Sequence, residues 1–385
     1  RERGGRGTRV RAGQGRACVR GRGGDSMAPA RAEAGREAEV GCGGRVLRGE
    51  ALPPQRWERV LDASNGAAGP MVGREYAARY LSAEDRRQAA WIVDKVREVQ
   101  IEAVKNSTWM SAEAKTEAQA KLGALKIEIG TPLRDLDYSV QPMGRGSFGG
   151  NMLIASTWRH REEMKRIGKG NADRRWDVLP QQPSLAYDLA QNRLIVTAAA
   201  LQGPIFNAQA NAADKFGSFG ALVGHELTRA IDAKGALIDA RGELRSWWTP
   251  ADKTAWTLLG SRVAAQYGAY EFPGVKGAKV NGTLTQEENL ADIAGLELAW
   301  AAYTAQEPKA KPAQQQGFFR AWAALWPQQL SPNEAARRLT ADIRAPGRWR
   351  TNGPLSNLPA FGATFSCKAG QPMQRTDAEQ IKVWR

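Results

Sequence analysis

Seven residues, Val223-Gly224-His225-Glu226-Leu227-Thr228-Arg229, carry the most legible chemistry in this 385-residue chain. They match the pattern H-E-x-x-H except at its last position. In that pattern two imidazoles four residues apart lie on one helical face and bind zinc, and the glutamate acts as general base on the metal-bound water. Here His225 and Glu226 are in place, and Arg229 stands where the second imidazole belongs. A guanidinium stays protonated and has no lone pair to give a metal. The same helix therefore points to metal-assisted hydrolysis and lacks one of the ligands for it.

Such a site needs a third ligand. Glu288-Asn289-Leu290-Ala291-Asp292 supplies one, with two carboxylates four residues apart on one face of an expected helix. Glu288 would close a His, His, Glu site with a fourth position open to water. Asp292 would orient a ligand imidazole. By itself this spacing is that of a solvated acidic face; beside His225-Glu226, and with Gly224 and Gly295 allowing close helix packing, it reads as a site. The other histidine, His160, lies among Trp158, Arg159 and Arg161, outside the motif helices, which argues against it as a replacement ligand.

The elements that must position these groups are mostly helical. Ser82 followed by Asp85 forms a capping-box pattern, and Ile92, Val96, Val99 and Ala103 recur at helical spacing, which predicts a helix to about Lys105. Further helices are predicted from about Ser111 to Leu125, ending near Gly123, from about Gly220 through the motif, from Pro250 to about Tyr267 and from Glu287 to about Tyr303. The run from Leu194 to Ala198, rich in β-branched residues, predicts a strand. Residues 133–183 show few clear periods. Within them Gly144 to Gly149 matches G-x-G-x-x-G by letter, but a dinucleotide site needs a strand before it and a helix after it, and the sequence suggests neither.

Composition narrows the function classes. The longest apolar runs fall well short of the roughly 18 residues a membrane span needs. Cys18, Cys42 and Cys367 are widely spaced and form no CxxC pair, which argues against a cysteine zinc knuckle, a redox pair or a disulfide framework. The net charge of +15 invites a nucleic-acid reading, but residues 1–50 alone hold 12 Arg against 6 acids, with 13 Gly and no aromatic residue. Without stacking side chains this is a poor single-strand binder, and it is too polar to offset its ordering entropy. It reads as a disordered or artefactual leader rather than an RNA-binding arm. The chain opens on Arg1 and shows no signal-peptide pattern, so it reads as missing its natural N-terminus.

Several further motifs occur in order. Val223-Gly224-His225-Glu226 is followed by Asp232, Gly235 and Trp247-Trp248-Thr249, then by the Glu288 to Asp292 motif. Asn352-Gly353-Pro354-Leu355-Ser356-Asn357 leads on through Phe365, Cys367 and Met373 to Val383-Trp384-Arg385. Together they resemble the neprilysin-like zinc metallopeptidases, a family that includes endothelin-converting enzymes and bacterial oligopeptidases. The likeness runs from about residue 52 to the end. Gly73-Arg74-Glu75-Tyr76 and Trp109-Met110 resemble the end of that family's helical N-terminal domain, most of which is absent.

The resemblance implies roles position by position. His225 and Glu288 match zinc ligands and Glu226 the catalytic base. Asp232 and Asp292 match carboxylates that hold the ligand imidazoles, and Arg350 matches an arginine that binds a substrate main-chain carbonyl. The sequence departs from the family at Arg229, at Arg344 in place of a transition-state-stabilising histidine, and at Ser184 in place of a substrate-aligning asparagine. The last family cysteine is also missing, near Gln380-Ile381-Lys382. Arg344 has the donors to hold an oxyanion or to clamp a peptide carboxylate, and it also reads as a surface arginine.

The expected fold is mainly α with a small β-sheet (α+β). It comprises a leader over 1–50, a remnant of a helical N-terminal domain over 51–135, and a thermolysin-like catalytic domain over 136–385. The expected function is zinc-dependent endopeptidase action on oligopeptides, with one zinc per chain if active. The alternative is an inactive paralogue that keeps the cleft as a peptide-binding module, Arg229 pairing with Asp232, Glu226 or Glu288 in the metal's place. Peptides are the expected partners and nucleic acid is not. By resemblance the location is periplasmic, secreted or membrane-tethered outside the cytoplasm.

Overall fold

The computed structural model describes residues 52, 54–134, 136–169 and 175–384. The leader expected over 1–50, with Cys18 and Cys42, lies outside them. The elements in chain order are α1 (Arg56–Tyr80), α2 (Ala83–Asn106), α3 (Ala112–Gly123), β1 (Lys126–Gly130), α4 (Phe148–Met164), β2 (Leu185–Asp188), β3 (Arg193–Thr197), α5 (Ala221–Thr228), α6 (Pro250–Gly268), α7 (Gly282–Gln306), α8 (Pro312–Ala324), α9 (Pro332–Ala341), α10 (Gly347–Asn357) and α11 (Pro359–Phe365). The fold is mostly helical with one small sheet, as the sequence implies.

Two compact units divide the chain. One holds the described residues within Arg1–Val72, Leu136–Gly170 and Ser331–Glu334; the other holds Gly73–Asp135, Asn171–Leu330 and Ala335–Arg385. The first contains α4, which the sequence reading did not anticipate. Its start is fixed by Ser147, whose hydroxyl accepts from the Gly150 N–H at 3.0 Å. A helix therefore does follow Gly144 to Gly149, and the element before that glycine run is a single 3-10 turn, Tyr138–Val140. His160 is exposed on α4.

In the larger unit the one capping box expected from the sequence takes its geometry, and a second, not anticipated, forms as well. Ser82 and Asp85 form a reciprocal capping box at α2. Thr249 and Asp252 form another at α6, and Asp252 also accepts from the backbone and hydroxyl of Ser111 at the start of α3, at 2.6 and 2.9 Å. One carboxylate thus ties two helix N-termini together. The sheet has order β1-β3-β2, with β1 parallel and β2 antiparallel to β3. β3 is buried at all five residues, which its Leu194-Ile195-Val196 run suits. Lys126–Gly130 and Leu185–Asp188 are strands that the sequence analysis does not anticipate; Lys126-Ile127-Glu128-Ile129 alternates polar and apolar residues but over only four positions, and Leu185–Asp188 is four residues long.

The core gathers around α7, which is buried over most of its length and begins earlier than predicted, at an Asn281 cap. It crosses α5 where Gly224 faces Gly295. A Cβ on Gly224 would lie 2.7 Å from the Gly295 carbonyl oxygen, and one on Gly295 would lie 2.3 Å from the His225 nitrogen. Both contacts are with backbone, so the helices must part to admit a methyl group. Gly295→Ala is expected to cost about 3 kcal/mol in urea-unfolding measurements. A change under about 0.5 kcal/mol would show that the crossing has slack.

Candidate active site

α5 and α7 bring His225, Glu226, Glu288 and Asp292 together, and α10 adds Arg350. His225 is buried, and its Nδ1 lies 2.7 Å from Asp292 Oδ1. Asp292 in turn takes two parallel hydrogen bonds from Arg350, from Nε to Oδ2 and from Nη2 to Oδ1, each 2.8 Å. The face of the Arg350 guanidinium stacks on Trp326, 3.6 Å from its ring centroid. Burial raises the Asp292 pKa, but Arg350 and His225 outweigh it and hold the carboxyl well below the ordinary aspartate range. Asp292 thus orients the imidazole as expected, and Arg350 is engaged with Asp292.

At the other end of the motif Arg229 bridges two carboxylates. Its Nη1 donates to Asp232 Oδ2 at 3.2 Å and its Nη2 donates to Glu288 Oε1 in a close ion pair. Burial works against the Arg229 charge, but Glu288, Asp232 and Glu226 overcome it and raise its pKa. The second Glu288 oxygen, Oε2, lies 3.3 Å from Arg344 Nε and 3.7 Å from His225 Nε2. Asp232 is also fixed by the backbone N–H groups of Lys234 and Gly235, at 2.9 and 2.8 Å. It therefore holds Arg229 where the resemblance implies that it holds an imidazole.

Glu226 accepts the Tyr187 N–H of β2 at 3.0 Å. Burial raises its pKa, partly offset by the charges of His225 and Arg229 and by that N–H. A carboxyl with a raised folded pKa binds more protons folded than unfolded, so stability falls as pH rises from the unfolded glutamate value near 4.3 through the folded one. Glu226→Gln should therefore be more stable than the parent by about 1 kcal/mol at pH 7, with the gap closing toward pH 4. Equal urea midpoints at both pH values would contradict this.

These donors do not suit a catalytic zinc. Only His225 Nε2 and the Glu288 carboxylate remain where three ligands are required, and both oxygens of that carboxylate already face guanidinium groups. Among the described residues no group of three or more His, Cys, Asp or Glu side chains is placed to hold a metal ion.

The motif order and this helix pair invite comparison with known proteins. A model of peptidase family M13 matches residues 186–381, half of the chain, and a second model of the same family matches 22–132. The chain belongs to peptidase family M13. Human neprilysin is 26% identical over 357 residues, covering 88% of this chain and 47% of neprilysin. Human membrane metallo-endopeptidase-like 1 is 26% identical over 362 residues, covering 88% and 46%. Among solved structures, a zinc metalloprotease of Mycobacterium tuberculosis in complex with an inhibitor superimposes with a TM-score of 0.86 at 27% identity, covering 94% of this chain and 56% of that one. PepO of Lactobacillus rhamnosis gives 0.85 at 27% identity, covering 93% and 56%. The chain spans about half the length of the curated relatives it matches.

Within this M13 framework Ser184 sits just before β2. Its backbone N–H donates to Thr197 Oγ1 at 2.9 Å, and among the described residues its hydroxyl reaches only the adjacent Leu185 carbonyl, at 3.5 Å. Arg344 is half exposed, with 55% of its side chain accessible, and pairs with Glu288. Three supporting residues escaped the sequence reading. Tyr187 carries the N–H that holds Glu226, and Trp326 backs Arg350. Lys121 is fully buried and donates to the carbonyls of Gly235 and Ile238, both at 2.7 Å, pinning the turn that carries Asp232. Burial lowers the Lys121 pKa to about 8. In a helix rich in Ala, Glu and Lys, nothing distinguishes this lysine from a solvated one.

Proposed function

We propose that this chain is a metal-free member of family M13 that binds oligopeptides in the peptidase cleft, with Arg229 in the place of zinc. The observation that carries this reading is the pairing of both Glu288 oxygens with guanidinium groups, those of Arg229 and Arg344. Two guanidinium charges are what a divalent zinc would have supplied beside that carboxylate. Buried carboxylates left without a counter-charge cost several kcal/mol, so the arginines and the missing metal are mutually consistent. Peptide capture rests on β2, whose outer edge has no strand partner among the described residues and which abuts Glu226. A strand edge without a strand partner can accept an extended peptide as an added strand, and β2 is half-buried rather than sealed over most of its length. In this reading Arg350 and Ser184 flank the bound backbone, residues 51–135 belong to the family's helical domain, 136–385 form the peptidase domain, and the protein works outside the cytoplasm.

Purified protein should carry far less than one zinc per chain and should bind a fluorescein-labelled oligopeptide saturably, with no loss on adding a chelator. Oligonucleotide should not compete. A second reading, zinc endopeptidase activity, is favoured by the intact His225–Asp292 pair and by the retained Glu226. Stoichiometric zinc together with chelator-sensitive peptide hydrolysis would establish that reading and reject the first.

A further inference from the structure

Three guanidinium groups stand around Glu288 and Asp292, and they differ in what they have left to offer. Arg229 and Arg350 are largely buried, with 17% and 11% of their side chains accessible, and each commits two nitrogens to carboxylates. Arg344 has 55% of its side chain accessible. Among the described residues its guanidinium meets one partner: Nε faces Glu288 Oε2 at 3.3 Å as an ion pair, and neither Nη group makes a hydrogen bond. Glu288 does not hold that charge for itself, because its other oxygen is in a close ion pair with Arg229. The loop beneath is anchored. The Arg344 backbone N–H donates to Asp342 Oδ1 at 3.0 Å, and Asp342 Oδ2 takes Arg338 Nη1 at 3.2 Å.

We infer that Arg344 selects for peptides that carry a carboxylate, received on the Nη1 and Nη2 edge of its guanidinium; this deepens, and rests on, the reading of the cleft as a peptide-binding site. A guanidinium presents its N–H groups in a planar fork that matches the two oxygens of a carboxylate, and charge-assisted pairs of this kind are about twice as strong as neutral hydrogen bonds. The carbonyls of an uncharged peptide offer one oxygen each and no charge. A histidine, which the resemblance implies at this position, has donors on two separate ring nitrogens and no such fork. A peptide along β2 runs past Glu226, and the adjacent His225 shares Glu288 Oε2 with Arg344, at 3.7 and 3.3 Å. The free donors of Arg344 thus stand at the mouth of the same site. The C-terminus of a peptide and the side chain of an aspartate or glutamate present the same pair of oxygens, so either is a source of the carboxylate.

The test uses dansyl-labelled hexapeptides, whose label adds no charge, and follows their fluorescence anisotropy with the full chain. One arm compares a free C-terminal acid with its amide. The other compares amidated peptides bearing one glutamate with the same peptides bearing glutamine, the residue being moved through every position. In at least one comparison the carboxylate should bind about tenfold more tightly at low salt, and less so as salt screens the half-exposed arginine. The arm in which it does so identifies the source. Arg344→Gln should bring that ratio to about one. Arg344→Lys, which keeps the charge without the fork, should hold it between the two. Saturable binding with no carboxylate preference in any comparison, or a preference undiminished in Arg344→Gln, would overturn the inference and leave peptide capture standing. Failure of every peptide to bind would instead reject peptide capture, and the inference with it.

Discussion

Arg229→His is expected to turn a chain that loses zinc on dialysis into one that retains about one zinc per molecule, with a gain in affinity of at least a thousandfold. The magnitude follows from electrostatics and from ligand count. A guanidinium about 4 Å from a dication is repelled by about 8 kcal/mol at an effective dielectric of about 20. Even half of that, relieved by the substitution, is worth about three decades of affinity. The same change adds an imidazole on the helical face of His225. That residue is already oriented by Asp292 at 2.7 Å, so its Nε2 can face a metal without rearrangement. Titration against a chromophoric chelator measures the gain. A histidine variant that stays metal-free would mean that His225 and Glu288 are not poised as ligands, and that the site's departure from a zinc centre goes beyond one residue.

Arg344 makes the outcome non-additive. Its Nε faces the Glu288 oxygen that lies nearest His225 Nε2. In the parent chain, removing Arg344 exposes a carboxylate still held by Arg229, and zinc binding should not change. In the Arg229→His background the same removal frees the third ligand. Arg344→Gln should then tighten zinc by about tenfold, a modest factor because the side chain is more than half exposed and its charge is screened. Such a shared partner is the situation in which single substitutions fail to add.

The helices that carry the site were legible because their signals are local. Capping residues, apolar spacing and the Glu288–Asp292 interval each lie within one or two turns, and the structure places them within a few residues of expectation. The approach of α5 to α7 was also legible, because Gly224 and Gly295 are the residues that permit it. What escaped depends on partners far apart in the chain. Nothing near Lys121 announces that its amine is buried against carbonyls more than a hundred residues away. Tyr187 contributes a backbone N–H, which no side-chain pattern reveals. β1 and β2 are five and four residues long, too short to stand out by pattern, and they complete a sheet through pairing with the distant β3. For Arg229, Asp232, Glu226 and Glu288 were all plausible partners by spacing; the geometry selects Asp232 and Glu288.

Replacing Arg350 by methionine should cost about 3–5 kcal/mol of folding stability, the largest loss expected from any single change around the site. Asp292 is 1% exposed, and two of its three side-chain hydrogen bonds come from Arg350. Removing one partner of a buried ion pair leaves an uncompensated charge, and the penalty exceeds what the intact pair contributes. The stacking of Arg350 on Trp326 adds roughly 1 kcal/mol. Methionine keeps part of that packing, which isolates the electrostatic loss. Two controls separate this account from simple loss of volume. Asp292→Asn in the same chain should recover a large part of the stability, because the charge that needed Arg350 is gone. The deficit should also depend on pH. The Asp292 pKa is held below its unfolded value, so the carboxylate contributes stability above about pH 4 that is lost as pH falls. Without Arg350 the buried carboxyl takes up a proton more readily, and acid relieves the penalty. The difference between parent and Arg350→Met in urea unfolding should therefore shrink steadily from pH 7 to pH 3. A difference constant across that range would assign the loss to packing rather than to the Asp292 charge.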